Sequence, residues 1–273
     1  MNPDLHLHTH FSHGLNSPRE MYESAVAKGL TLIGFSEHSP RPAGYDYRHE
    51  YRERLSSLFP EYIAGVRALG ALPDNKCEVL LGLEMDWLPA EVEFIQKASK
   101  AFQYDYLIGS VHFLDHWGFD DGSEKWEGLS REECEKLYRE YFLNWKSMIQ
   151  SGLFQIAAHP DLIKIYSVGQ FRQWLERGDA QGLVEECLIA LRDAGMAMEI
   201  SSAGLRKKCG EIYPSPRIME LAARVGVRIS LASDAHAAED VAYAFPKLVD
   251  YAKSYGFSRQ SVFRRNAVQE LPL

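Results

Sequence analysis

The chain has no Cys-x-x-Cys pair. Its four cysteines, Cys77, Cys134, Cys187 and Cys209, stand far apart, so neither a thiolate metal site nor a disulfide framework is indicated, and a reducing cytoplasm fits best. No apolar run approaches the roughly 18 residues of a membrane span, and the N-terminus shows no basic-then-apolar leader; the reading is a soluble cytoplasmic protein without a membrane partner. Positive charge is also in short supply. Thirty Lys and Arg against 38 Asp and Glu leave a net charge of −8, which speaks against a long nucleic acid as partner, since that grip needs a basic face. A small anionic substrate remains compatible, because bound metals reverse the local potential whatever the total. Missing too are a Gly-rich dinucleotide fingerprint, a Pro-, Gly- or Ser-rich linker and any break in composition, so residues 1–273 read as a single domain. Nothing in the pattern specifies an oligomeric state.

What is present is a repeated βα rhythm. Seven short β-rich runs, at 5–8, 30–38, 78–86, 104–113, 154–160, 196–203 and 227–236, alternate with amphipathic stretches. Helix signals are explicit in three of these. Ser17, Pro18 and Glu20 open one that Gly29 stops; Ser130 and Glu133 open another that Gly152 closes; a third runs from Ser215 to Gly226, with Ile218, Leu221, Ala222 and Val225 forming its buried stripe. Alternation of this kind predicts a mostly parallel sheet, and at 273 residues a closed or nearly closed α/β barrel is favoured over an open sheet. The stretch 40–75 is a long excursion expected to cover one mouth of the barrel.

The N-terminal stretch DLHLHTHFSHG carries four histidines, His6, His8, His10 and His13. In an extended strand His6, His8 and His10 would share one face and Leu5, Leu7 and Thr9 the other. The remaining strands end in polar residues as well: Glu37 and His38, Glu84 and Asp86, His112, His159, Glu199 and Ser201, and the i, i+2 pair Asp234 and His236. In a (β/α) barrel the C-terminal strand ends form one face where reactive groups gather. Six imidazoles there, with Glu84 and Asp234 as the obvious negative charges, would be costly to bury without cations. Imidazole with carboxylate and no thiol suits Zn, Mn, Fe or Co, and nine donors exceed the needs of one ion, so two or three divalent metals are implied. Lys164 in HPDLIK and Arg206 in AGLRKK follow strands and fall on the same face. Blander roles suit other residues: His10, His49 and His116 at the rim, the 48–54 segment as a solvated helix face, Asp161 as a helix cap, Asp4 either behind a ligand or in solvent, and Glu199 on a substrate amine or a loop. Trp126, Tyr138, Tyr141, Phe142 and Trp145 read as core.

The segments DLHLHTHFSHG, FSEHSP, GLEMD, GSVHF, AHPDLIK, SSAGLRK, YPS and SDAHAAEDV, in this order from residue 4 to about 246, resemble the PHP (polymerase and histidinol phosphatase) superfamily in its histidinol-phosphatase branch. The resemblance implies a distorted (β/α)7 TIM-like barrel with the metal site at the C-terminal ends of the strands. It also implies a ligand set. His6, His8, Glu84 and Asp234 would hold one metal; Glu84, bridging, with His112 and His159 a second; His13, with His10 its competitor, His38 and His236 a third. The implied reaction is hydrolysis of a small phosphorylated metabolite, L-histidinol phosphate, to L-histidinol and phosphate by a metal-bridged hydroxide, with Glu84, Asp234 and His236 the catalytic candidates and Arg206, Lys164 and Arg52 the expected substrate contacts. The alternative is a PHP phosphoesterase for another small phosphorylated metabolite, a nucleotide or a short oligonucleotide.

Overall fold

A computed structural model describes residues 2–47 and 52–273; His49 lies outside the described residues. Six parallel strands, β1 (Leu32–Phe35), β2 (Glu78–Asp86), β3 (Tyr106–Ser110), β4 (Ile156–Ala157), β5 (Ala197–Ser201) and β6 (Arg228–Ala232), pair in that order. The two edges of this curled sheet are joined by the N-terminal segment. Asp4 bridges to Ile33 on β1 and Leu7 to Ala235 just past β6. The result is a distorted TIM-like barrel whose seventh staff is a short, irregular stretch. Because residues 4–7 must serve two edges, strict alternation fails there: Leu5 joins the cluster inside the barrel and Leu7 the cluster under the helices.

Period-2 alternation explains how the other strands serve both a core and a site. On β2, Leu81, Leu83 and Met85 face the helix layer, while Leu80 faces inward and is followed on the same side by Gly82, Glu84 and Asp86. On β3, Tyr106 and Ile108 point in and Leu107 out; on β5, Ala197 points in and Met198 and Ile200 out, which leaves Glu199 on the inner side. Each inner face therefore runs from apolar at the strand start to polar at its end. Tyr106 closes the apolar layer, its ring lying across Gly34 and Gly82, where any side chain would overlap it. Its hydroxyl donates to Leu5 O at 2.6 Å. Val262 and Phe263 of a C-terminal hairpin, Arg259–Arg264 with Ala267–Pro272, complete that layer from below.

The three signalled helices form where expected, as Pro18–Ala27, Arg131–Gln150 and Pro216–Val225, the first two with complete capping boxes at Ser17/Glu20 and Ser130/Glu133 and the third stopped by Gly226 in the left-handed conformation. The aromatics of the second are buried core. Of the excursion at 40–75, residues up to Tyr47 lie at the polar end of the barrel. Residues Arg52–Gly70 form a helix on its outside, fixed by the Tyr62 hydroxyl donating to Phe35 O and Gly82 O at 3.0 and 2.7 Å. No helix among the described residues is long and apolar enough to cross a membrane.

Candidate metal centre

Except for β2, the strands are shorter than the β-rich runs suggested, and several of the polar residues that end those runs sit in the loops beyond them. His112 follows β3, His159 follows β4 with φ of 20°, and Asp234 follows β6 with φ of 50°. These tight turns aim the side chains back over the barrel axis.

Glu84 is the hub. Its Oε2 lies 3.3 Å from His6 Nε2, 3.4 Å from His8 Nε2 and 2.9 Å from His38 Nδ1, and its Oε1 lies 3.2 Å from His159 Nε2 and 3.6 Å from His112 Nε2. Asp234 Oδ1 closes the other side, 3.3 Å from His8 Nε2 and 3.8 Å from His6 Nε2. His236 stacks on His8 with ring centres 4.3 Å apart, and His13 stacks on His236 at 4.2 Å. All nine donors named from the sequence are thus brought together. Seven of them fall into overlapping groups compact enough for an ion, His6, His8 and Asp234; His38, Glu84 and His112; and His8, His38 and His236, with His13 and His159 beside these groups. His38 stands between two of these groups rather than belonging to one. His10 turns away onto Phe11 at 4.4 Å.

A second ring of carboxylates lies behind the imidazoles, so the expectation of only two negative charges is corrected. Glu199 Oε2 sits 2.6 Å from His6 Nδ1, Asp86 Oδ1 2.7 Å from His112 Nδ1, and Glu37 Oε1 3.3 Å from His8 Nδ1. Each takes the Nδ1 side of its ring and leaves Nε2 facing the centre, the arrangement by which outer carboxylates fix the tautomer of ligating histidines. Glu199 therefore faces a donor imidazole and, as one of its two expected roles, bonds a loop, through the His159 amide at 3.1 Å. Glu37 is clasped by Thr9 N at 3.0 Å, Thr9 Oγ1 at 2.6 Å and the Ser12 hydroxyl. The shared face expected of His6, His8 and His10 ends at His8, because Thr9 folds inward to this carboxylate. Asp4 is buried away from the rings and accepts from Ser233 N (3.0 Å), Ser233 Oγ (2.5 Å) and Ala242 N (2.9 Å).

The electrostatics ask for cations. Burial works to raise the Glu84 carboxyl, but His6, His38 and His112 around it hold it well below the usual range. Burial likewise opposes protonation of His6, yet Glu199, Glu84 and Asp234 outweigh it and hold its pKa well above the ordinary value. Burial, beside His8 and Arg41, lowers His38 to about 4 despite Glu84. His6 Nε2, His8 Nε2, His236 Nε2 and Glu84 Oε2 are buried without a hydrogen-bond partner. Buried polar atoms are rarely left so. A group of converging nitrogens and carboxylate oxygens in this state fits divalent metal ions, whose charge would replace the protons now shared among the rings.

The three cations expected to contact substrate lie as follows. Lys164 is fully buried, its ammonium donating to Asp161 Oδ2 at 2.9 Å and Ile212 O at 3.1 Å and pairing with Glu211 Oε2 at 3.2 Å, so its charge is held inside the protein. Its partner Asp161 caps no helix through its side chain; Oδ2 also accepts from Ser215 N at 2.8 Å. Arg206 does reach the mouth, but its Nη2 donates to Ser233 O (2.6 Å) and Asp234 O (3.1 Å), and its Nη1 meets Asp240 at 2.7 Å. It pins the loop that carries Asp234. Arg52 pairs at 3.7 Å with Asp46 and is not joined to the imidazoles by any contact among the described residues. The cation that sequence reasoning passed over is Lys207, exposed next to Arg206 and close enough that its charge acts on His13 and His236.

The chain is similar to known proteins over most of its length. The PHP domain family model matches residues 4–203. A probable histidinol-phosphatase of Deinococcus radiodurans is 34% identical over 267 residues, covering 97% of this chain and 98% of the relative. The histidinol-phosphatase of Bacillus subtilis is 25% identical, with 90% and 98% covered. Among solved structures, a histidinol phosphate phosphatase from Lactococcus lactis, in complex with zinc, L-histidinol and phosphate, superposes with a TM-score of 0.80 at 24% identity, covering 98% of both chains.

Proposed function

The chain belongs to the PHP domain family, and we propose that it is a metal-dependent phosphatase that hydrolyses L-histidinol phosphate to L-histidinol and inorganic phosphate. The observation that carries this reading is the ring of seven imidazoles and two carboxylates around a shared mouth. His6, His8, Glu84 and Asp234 would hold one ion, Glu84 with His112 and His159 a second, and His13, His38 and His236 a third; zinc, manganese and iron all suit this donor set. When bound, such ions supply an acidified water as nucleophile and positive charge against the phosphoryl oxygens.

The protein's own groups do the rest. Glu199, Glu37 and Asp86 keep His6, His8 and His112 turned with Nε2 toward the centre. Arg206 holds the Asp234 main chain in its left-handed turn, which presents the carboxylate to His6 and His8. Lys207 is the exposed cation best placed to meet outer phosphate oxygens. His236, partly buried and pushed well below the ordinary imidazole range by desolvation and by His8 and His13, serves as a donor atom more readily than as an acid.

The test is a rate comparison on metal-replete protein across L-histidinol phosphate, other small phosphomonoesters, nucleotides and a short oligonucleotide. L-Histidinol phosphate is expected to give the highest kcat/KM. A nucleotide or another metabolite ahead of it would replace the substrate assignment while leaving the phosphatase chemistry in place.

A further inference from the structure

Past His112 the chain makes a tight hairpin, Phe113–Leu114 against Trp117–Gly118, and returns so that Phe119 N donates to His112 O at 3.1 Å. The next residue is Asp120. Its position is fixed at two points: the Tyr47 hydroxyl donates to Asp120 Oδ1 at 2.9 Å, and the Tyr166 hydroxyl donates to its main-chain oxygen at 3.0 Å. Tyr47 is itself immobilised, stacked on Phe113 with centres 5.4 Å apart and lying on Gly118, where a Cβ would come within 2.5 Å of its ring. A carboxylate is thus held half-buried at the rim of the metal centre by rigid neighbours.

Its chemical situation differs from that of the other acids at this end. Glu37 faces His8, Glu199 faces His6, Asp86 faces Arg41 and His112, Asp240 faces Arg206, and Glu211 faces Lys164. Among the described residues Asp120 has a phenol and no cation. A half-buried carboxylate neutralised only by a hydroxyl lacks positive charge, and its field already reaches His112, where it adds to the upward pull of Glu84 and Asp86. A cationic nitrogen entering the mouth on a phosphomonoester would supply that charge through a strong, charge-assisted hydrogen bond.

We propose that Asp120 is a specificity-determining residue that receives the protonated nitrogen of the substrate's organic part, ammonium or imidazolium. This rests on the L-histidinol phosphate reading above. The metals would then take the phosphate of any ester, and Asp120 would select esters whose alcohol carries a cation.

The test is Asp120→Asn, which keeps an oxygen for the Tyr47 hydroxyl. The preference for L-histidinol phosphate over p-nitrophenyl phosphate, as a ratio of kcat/KM, should fall about 10- to 100-fold, mostly through KM. Product inhibition by L-histidinol should weaken by a similar factor. An analogue without the amine separates the two nitrogens: a loss that disappears with it assigns the ammonium, and one that persists assigns the ring. A ratio preserved within about twofold, or unchanged inhibition by L-histidinol, overturns the assignment. So does an equal loss in Tyr47→Phe, which would trace the effect to the Tyr47 contact instead of the charge. A wild-type protein with no such preference would defeat the substrate reading itself, whereas a preference kept by Asp120→Asn defeats only the role given to Asp120.

Discussion

Glu199→Gln probes the ring of carboxylates behind the metal centre. The two oxygens of Glu199 accept from two different donors, His6 Nδ1 at 2.6 Å and the His159 amide at 3.1 Å. A glutamine of the same shape offers one acceptor and one donor, so it satisfies only one of them. If the amide nitrogen turns toward His159, two N–H groups collide. If it turns toward His6, the ring must accept at Nδ1 and carry its proton on Nε2, the atom needed at the centre. Losing one buried hydrogen bond to a charged group costs about 1.5–3 kcal/mol, equivalent to a 10- to 100-fold loss of affinity, the range found for groups that orient metal ligands. The assay is a competitive chelator titration of the metal-loaded protein, with metal content counted on the same samples. Glu199→Gln should release its weakest-held ion at about 10- to 100-fold lower chelator strength. Retention within twofold of wild type would refute the claim that Glu199 sets the tautomer of His6.

Lys164→Ala should destabilise the fold by about 3–5 kcal/mol, because it strands the buried Asp161 carboxylate; a raised KM with unchanged denaturation midpoint would return Lys164 to the substrate. Arg206→Ala frees the carbonyls of Ser233 and Asp234, so metal retention should drop more than substrate affinity, and the reverse order, read by chelator titration and KM, would make it a phosphate contact after all. Gly82→Ala forces a methyl into the Tyr106 ring and should cost about 1–3 kcal/mol or more in denaturant unfolding; a neutral result would mean that Tyr106 can swing away. In the metal-free protein His112 is held up at about 9 by Glu84 and Asp86 against its burial. A pKa raised on folding gives stability that is complete below the unfolded value of about 6.5 and is lost as pH rises through the folded one, so unfolding free energy should decline between about pH 6.5 and 9 by up to about 3 kcal/mol. A flat or rising profile in chelator-treated samples would contradict this.

The legible part of the molecule was whatever periodicity and capping encode. β2 keeps the bounds its apolar pattern gave, the Ser17 and Ser130 capping boxes open their helices, and imidazoles that recur at strand ends do meet. The roles of Glu37, Asp86 and Glu199 were not legible, because a strand-end acid looks the same whether it faces an ion or the back of an imidazole. Thr9 and Ser12 were hidden for a related reason: the turn that starts after His8 replaces strand alternation with a clasp on Glu37. Lys164 follows a strand as a rim cation would, yet it is enclosed because Asp161 and Glu211 are folded around it from two loops. The C-terminal hairpin escaped because its two-residue turn, Arg265 and Asn266, takes left-handed angles of 49° and 63° without a glycine to announce them.

The seam formed by Asp4 has a temporal side. The carboxylate that locks the first staff to the loop after β6 bonds Ser233, 229 positions away in sequence, so on a growing chain His6 and His8 can meet Glu37 and Glu84 long before Asp234 is made to close their other side. Contacts of such span are entropically late. Ions loaded early would have to wait on an open half-ring, which ties cofactor capture to the last event of folding.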